Sequence, residues 1–180
     1  MKSAVFLDRD GVVCMPIIRN GKPYPPSSTK ELKIIQGLEE AAHSFYKANL
    51  EVVIITNQPD IGNGHTTFAE VNKINEKIMN KTGIEHFYIC PHIESDSCLC
   101  RKPKAGLLIK SAFELGISLQ KSYLIGDRWK DIEAGQKVGC DTYFIDYSYS
   151  EKKPTPPYTK VTSVLEASRI ILNKIGADND

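Results

Sequence analysis

The sequence predicts an α/β fold: a mostly parallel sheet with helices on both faces. Two observations lead there. Short, uniformly apolar runs alternate with stretches whose apolar residues recur at helical spacing, and strands buried on both faces read as such continuous runs. In addition, the residues able to do chemistry collect immediately after the apolar runs. In open α/β sheets that edge, beyond the carboxyl ends of the strands, is where ligands bind.

In order along the chain, Ala4–Leu7 (AVFL) reads as the first strand. Leu38, Ala41, Ala42 and Phe45 recur at helical spacing, with Asn49 placed to close that helix. Val52–Ile55 (VVII) is a β-branched strand. Thr67 and Glu70 have the spacing of a capping box before a helix whose face is Phe68, Val71, Ile74 and Ile78. His86–Ile89 reads as a third strand, and Leu107, Leu108, Ala112 and Leu115 as a helix capped by Gly116. Tyr123–Ile125 is a fourth strand, Ile132–Val138 a helix stopped by Gly139, and Thr142–Ile145 a fifth strand. The Ser- and Pro-rich stretch Tyr147–Pro157 is expected to be a loop, Val164–Ile175 a closing helix, and Asp178–Asp180 a frayed tail.

Composition narrows the function classes. With 180 residues, 41% hydrophobic and 25% charged, the chain suits one domain over residues 1–180. A net charge of +1 argues against nucleic acid or an anionic membrane as partner. The N-terminal apolar run is too short for a signal peptide, and no run has membrane-spanning length. A cytoplasmic protein with reduced thiols is expected, monomeric because no exposed apolar stripe stands out.

Asp8 and Asp10 follow the first strand; alternation along an extended chain would point both carboxylates to one side, roughly 7 Å apart. Asp127 follows the fourth strand and can join them. Carboxylates converging on one spot repel unless a hard cation neutralises them, and Mg²⁺ takes few carboxylates together with water and substrate phosphate. A lone D-x-D-G fits a plain turn equally well; matching chemistry at three further strand ends favours the cation. Thr56 and Asn57 end the second strand with a hydroxyl, an amide and free backbone N–H groups, which suit phosphate oxygens or simply a turn. The nucleotide P-loop, nucleophile-elbow and zinc-protease signatures are absent from the sequence.

The third strand ends in CPHIESDSCLCRKPK, in which Cys90, His92, Cys98 and Cys100 have the spacing C-x-H-x5-C-x-C. Four such ligands in one loop match a closed, tetrahedral, structural Zn²⁺ site, against the plainer reading of reduced cysteines near a strand end. Metal binding would fix the loop and with it the direction of Arg101 and Lys102, one suited to bidentate anion contact and the other to a compact charge. Cys14 and Cys140 are left as free thiols. Arg19, Lys22 and Tyr24, in the long loop after the first strand, are either substrate contacts or solvated residues.

These residues resemble the haloacid dehalogenase (HAD) superfamily of aspartate-dependent phosphatases. FLDRDGVV is similar to its first motif, ITNQ to the second, Lys102 in CRKPK to the third and GDRWKDIEAG to the fourth. The Cys/His knot resembles the histidinol-phosphatase-like branch. The resemblance spans about Ala4 to Ile145 and implies a Rossmann-like, HAD-type sheet with no separate cap domain. It implies that Asp8 is the nucleophile and Asp10 the general acid and base. Mg²⁺ would lie between Asp8, the Asp10 carbonyl and Asp127, with Thr56, Asn57 and Lys102 on the phosphoryl group. Arg101 would recognise substrate, and Asp131 would orient Lys102 or a metal-bound water. The implied activity is removal of the 7-phosphate from a small phosphorylated sugar, D-glycero-D-manno-heptose 1,7-bisphosphate, for nucleotide-heptose and surface-polysaccharide precursors. Histidinol phosphate is the alternative substrate. A catalytically silent, zinc-organised binding module is the reading from another class. The stretch Cys14–Ser28 carries Arg19 and Lys22 but no acid, which favours the bisphosphate.

Overall fold

The computed structural model describes residues 1–177, so Asp178–Asp180 lie outside the described residues. Its centre is a six-stranded parallel sheet in which β1 (Ala4–Leu7) lies between β4 (Glu51–Asn57) and β6 (Tyr123–Gly126). Outward from β4 lies β5 (His86–Cys90); outward from β6 lie β7 (Asp141–Ile145) and then β8 (Thr159–Val161). β1 is wholly buried and parallel to both neighbours, with Phe6 in register with Val53 and Leu124.

The two faces of the sheet carry different helices, and the alternation of side chains along each strand decides which residues meet which. Val5, Leu7, Val52, Ile54 and Ile125 pack with α1 (Leu38–Lys47), α3 (Phe68–Thr82) and α6 (Val164–Ala177). Ala4, Phe6, Val53, Ile55 and Leu124 pack with α4 (Gly106–Leu115) and α5 (Trp129–Lys137). The expected helix ends are present. Asn49 takes a left-handed φ of 60° after α1, Gly116 one of 68° after α4, and Gly139 one of 79° beyond α5. Thr67 caps α3 by accepting the Glu70 N–H; the Glu70 carboxylate instead pairs with Lys73.

Three short elements depart from the sequence reading. The long stretch expected as loop after the first strand contains a hairpin of β2 (Ile17–Arg19) and β3 (Lys22–Tyr24), and beyond the Tyr147–Pro157 loop a further strand, β8, pairs where no element was assigned. Each of these strands has three residues, and both hairpin strands are largely exposed, so they carry no apolar run to detect. The hairpin's signal is the Asn20-Gly21 pair, whose φ values of 50° and 70° suit a tight turn. Pro59 opens a one-turn helix, α2 (Pro59–Gly62), to which the sequence reading assigned no element. No segment between core strands forms a cap domain, and among the described residues no helix is long and apolar enough to cross a membrane.

Phe45 is fully buried where α1 meets the sheet. Phe45→Ala is expected to cost about 3–5 kcal/mol of stability, the combined loss of burial and a residual cavity; urea unfolding followed by circular dichroism measures it.

Candidate active site

The strand ends assemble one cleft of about 320 Å³, lined by Asp8, Asp10, Asn57, Arg101, Lys102, Asp131 and the hairpin residues Lys22 and Tyr24, among others. That volume is within the range of small-molecule sites. Asp8 follows β1, Asn57 ends β4, and Asp127 and Asp131 flank the junction of β6 and α5. The Cys/His loop that follows β5 delivers Arg101 and Lys102.

Lys102 is 2% exposed, and its ammonium serves three acceptors: Asp8 Oδ1 at 2.7 Å, Asp131 Oδ1 at 2.7 Å and the Ile55 carbonyl at 2.9 Å. An ammonium has three N–H donors, so all are engaged. Burial alone would push this lysine towards neutrality, but Asp131 and Asp8 outweigh it and its pKa is raised. Its main chain is held as well: Asn57 donates Nδ2–H to the Lys102 carbonyl and accepts the Lys102 N–H, each at 3.1 Å. Asp131 thus contacts Lys102, and Asn57 bonds the lysine's backbone while also lining the cleft.

Asp8, Asp127 and Asp131 are all buried, with carboxylate oxygens within 4.8 Å of one another. Against these three negative charges stands Lys102. Burial and Asp131 raise the Asp8 pKa to about 7, and burial together with Asp8 and Asp131 raises that of Asp127. Asp127 Oδ1 has no hydrogen-bond partner among the described residues, while Oδ2 accepts the Tyr149 hydroxyl at 2.7 Å. Three buried carboxyl groups facing one ammonium, with one carboxylate oxygen unpartnered among the described residues, are the donor set that a divalent, oxygen-seeking cation fits.

Asp10 stands apart from that trio. Residues 9–14 turn tightly, with the N–H groups of Val13 and Cys14 both donating to the Arg9 carbonyl, so the extended alternation expected from sequence ends here. The Asp10 carboxylate accepts from Arg9 Nε at 3.1 Å, Arg9 Nη2 at 3.2 Å, Gln58 Nε2 at 2.7 Å and the Cys14 thiol at 3.3 Å. Asp10 still lines the cleft with Asp8. Thr56 is fully buried, accepts from Gln58 Nε2 at 2.8 Å and is not among the residues lining the cleft.

Gly11 is required at its position for two reasons. Its φ is 114°, and a Cβ there would lie 1.9 Å from Asp127 Oδ2. Gly126 is similarly tight, since a Cβ would lie 2.2 Å from that of Asp131. Gly11 therefore makes room for a carboxylate of the opposite aspartate motif, and Gly126 for one of its own.

The Cys/His cluster is preassembled. His92 Nδ1 is 3.1 Å from Cys100 Sγ and 3.6 Å from Cys90 Sγ; Cys90 Sγ lies 3.7 Å from Cys98 Sγ, and Cys100 Sγ 3.5 Å from Cys98 Sγ. A tetrahedron of sulfurs at a Zn–S distance of about 2.3 Å has edges of roughly 3.8 Å, so these separations suit one shared ion. Arg101 Nη1 donates to the His92 carbonyl at 3.2 Å, which ties the cation to the knot.

Two cleft cations escaped the sequence reading: Arg128 and Lys130, inside the fourth motif. Their signal was position, at the start of the helix that follows a functional strand end. Burial pushes the Lys130 pKa down, and Arg101 and Arg128 add to the effect. Gln58, Arg9 and Tyr149 were also missed, since their partners are remote or unmarked in sequence. One expectation is corrected: Arg19 does not line the cleft, because its guanidinium lies over the Tyr24 ring, 5.6 Å from the centroid, while Lys22, its register partner, does line it.

A strand-end nucleophile candidate beside a buried lysine, a carboxylate trio and a rim of cations defines a site for phosphate esters. Comparison with known proteins agrees with that class. The profile of the HAD-hydrolase-like family matches residues 99–166. The D-glycero-alpha-D-manno-heptose-1,7-bisphosphate 7-phosphatase of Campylobacter jejuni is 31% identical over 79% of this chain and 81% of its own length. The beta-heptose counterpart of Helicobacter pylori is 32% identical over 73% and 76% respectively. A bifunctional histidine-biosynthesis protein of Legionella pneumophila is 31% identical over 78% of this chain, which spans 40% of that longer protein. The crystal structure of D,D-heptose 1,7-bisphosphate phosphatase from B. bronchiseptica, complexed with magnesium and phosphate, superposes with a TM-score of 0.82 at 24% identity, over 97% of this chain and 99% of that one. The chain belongs to the HAD-like phosphatases, in the branch that holds these heptose-bisphosphate relatives.

Asn57→Ala is expected to lower phosphatase turnover about 10- to 100-fold, the range for losing a group that orients a catalytic one, with little change in unfolding midpoint. A steady-state phosphate-release assay beside a thermal melt checks both. Gly11→Ala is expected to abolish activity and to lower stability by about 1–3 kcal/mol from backbone strain alone, measured by chemical denaturation.

Proposed function

We propose that the protein is a cytoplasmic, Mg²⁺-dependent phosphatase that removes the 7-phosphate of D-glycero-D-manno-heptose 1,7-bisphosphate, supplying precursors of nucleotide-linked heptose and surface polysaccharide. The observation that carries this reading is the division of charge in the cleft. At its floor, Asp8, Asp127 and Asp131 outnumber Lys102; at its rim, Lys22, Arg101, Arg128 and Lys130 supply four cations. One end suits a metal-bound phosphoryl group and the other a second anion, as a bisphosphate requires. A cationic substrate such as histidinol phosphate would meet like charge at the rim, with Asp60 as the acid on that side. The sequence similarity to heptose-bisphosphate phosphatases over about three-quarters of both chains supports the same choice.

Asp8, through its side chain, Asp10, through its carbonyl, and Asp127, through its unpartnered Oδ1, would hold the Mg²⁺. When bound, the ion neutralises the cluster and polarises the phosphoryl oxygens. Asp8 attacks phosphorus and forms an aspartyl phosphate as the bond to the sugar oxygen breaks. Asp10, next to Asp8 but held by Arg9 and Gln58, donates a proton to the departing oxygen and then withdraws one from the water that hydrolyses the intermediate. Lys102 offsets the charge of Asp8 and Asp131 and fixes the nucleophile's orientation; its three donors already serve protein acceptors, so it acts through charge and position. Asn57 fixes Lys102, and Thr56 anchors Gln58, which in turn holds Asp10. Arg101, Lys22, Arg128 and Lys130 take the distal phosphate. The Cys90, His92, Cys98 and Cys100 knot holds Zn²⁺ and aims Arg101 and Lys102.

A side-by-side phosphate-release assay in Mg²⁺ with both anomers of the heptose bisphosphate and with L-histidinol phosphate tests the substrate. A preference of at least a hundredfold for a heptose anomer is expected; preference for histidinol phosphate would overturn the assignment and keep the chemistry. Asp8→Asn is expected to lose all measurable turnover with an unchanged fold by circular dichroism. Cys98→Ser is expected to lower the zinc content found by elemental analysis and to reduce activity through a displaced Lys102; full activity in zinc-free protein would show that the knot does not aim the lysine.

A further inference from the structure

The segment after β7 contributes to the site although no motif marks it. Asp146, at the end of β7, accepts from Lys153 Nζ at 2.6 Å, Lys160 Nζ at 3.0 Å and the Ser148 N–H at 2.9 Å, which gathers the loop at its base. The next three residues each reach a different part of the cleft. Tyr149 donates its hydroxyl to Asp127 Oδ2 at 2.7 Å. The Ser150 N–H donates to the Gly21 carbonyl at the tip of the hairpin that carries Lys22, at 3.1 Å. The Glu151 carboxylate accepts from Arg128 Nε at 3.0 Å and also pairs with its Nη2. Further on, Lys152 Nζ lies 3.5 Å from the centroid of the Trp129 ring, adding another tether on α5.

Asp127 is therefore seated between two constraints. The glycine backbone at position 11 closes against Oδ2 so tightly that a Cβ would overlap it, and the Tyr149 hydroxyl bonds the same oxygen. The hydroxyl bond restrains the carboxylate through Oδ2, and Oδ1 has no partner among the described residues. A carboxylate free to rotate could offer either oxygen to Lys102 or to water and would have to be reordered when it takes a cation; groups that preset a ligand lower that cost.

We propose that Tyr149 is a positioning residue for the metal-binding carboxylate of Asp127, and that Ser150 and Glu151 anchor it there through the hairpin and Arg128. This inference rests on the divalent-metal reading of the cleft. The loop after β7 then belongs to the active site, and cation affinity is set partly by a residue that touches neither cation nor substrate.

The experiment is Mn²⁺ binding to the full chain, read by electron paramagnetic resonance, with Mg²⁺ titrations of activity beside it. Tyr149→Phe keeps the ring and removes the hydroxyl. It is expected to raise the Mn²⁺ dissociation constant about tenfold, the lower end for losing a group that orients a metal ligand. The Mg²⁺ concentration for half-maximal rate should rise in parallel, and kcat should return towards wild type at saturating Mg²⁺. A wild-type dissociation constant in Tyr149→Phe overturns the inference while leaving the metal reading intact, and so does a kcat loss that Mg²⁺ does not rescue. Failure of the unmodified protein to bind Mn²⁺ overturns the metal reading and the inference with it. If Tyr149→Phe does not fold, Glu151→Gln unpins the same loop and leaves the carboxylate trio in place: a raised dissociation constant supports the inference, and an unchanged one overturns it.

Discussion

The catalytic end of the molecule depends on one buried ammonium serving three acceptors. Lys102 connects Asp8 beyond β1, the Ile55 carbonyl of β4 and Asp131 on α5. A lysine enclosed this fully is held charged only by its partners, and those carboxylates tolerate their own burial only because the lysine is there. Removing the lysine would leave Asp8 and Asp131 without the charge that both share. That mutual dependence fixes three parts of the fold relative to one another, and much of the surrounding structure serves to keep the lysine in place.

The support comes in layers. Asn57 clasps the lysine's main chain, and the Cys/His knot ends at Cys100, two residues before it, with Arg101 tied back to the His92 carbonyl. The knot follows β5 at the sheet edge, where little hydrophobic core is available to order a loop; a shared ion can do so instead, because its binding energy becomes folding energy. On the other side, the bare backbone of Gly11 lets the first aspartate motif close against Asp127, and that of Gly126 admits Asp131 of its own motif.

The charges also separate into two zones of opposite sign. The floor has excess acid, and the rim from Lys22 to Lys130 has excess base. Three of the rim cations are already tied to acids, Arg128 to Glu151 and both Arg101 and Lys130 to Glu94, and these pairs hold long side chains in place without burying them. Such partly exposed pairs add little to stability; their effect is to reduce the conformations an incoming anion must select.

The sequence by itself determined the layout. Short uniformly apolar runs such as AVFL and VVII, alternating with helical stretches, fit strands covered on both faces, and parallel order with a functional carboxyl edge follows from that pattern. Asp8, Asp10, Lys102, Asp127 and the four Cys/His residues were legible because each sits at a fixed offset from a strand end or from the others. The tertiary structure decided what offsets do not encode. It placed Asp131 in the carboxylate trio and gave Asp10 to Arg9 and Gln58, since the chain turns immediately after Asp8. It brought Lys22 into the cleft and stacked Arg19 over Tyr24, through a hairpin whose three-residue strands bury too little to leave an apolar pattern. It also joined Tyr149 to Asp127 across 22 residues. Local pattern records which face of an element is apolar; contacts between remote polar residues are fixed only when the packed sheet brings its strand ends together.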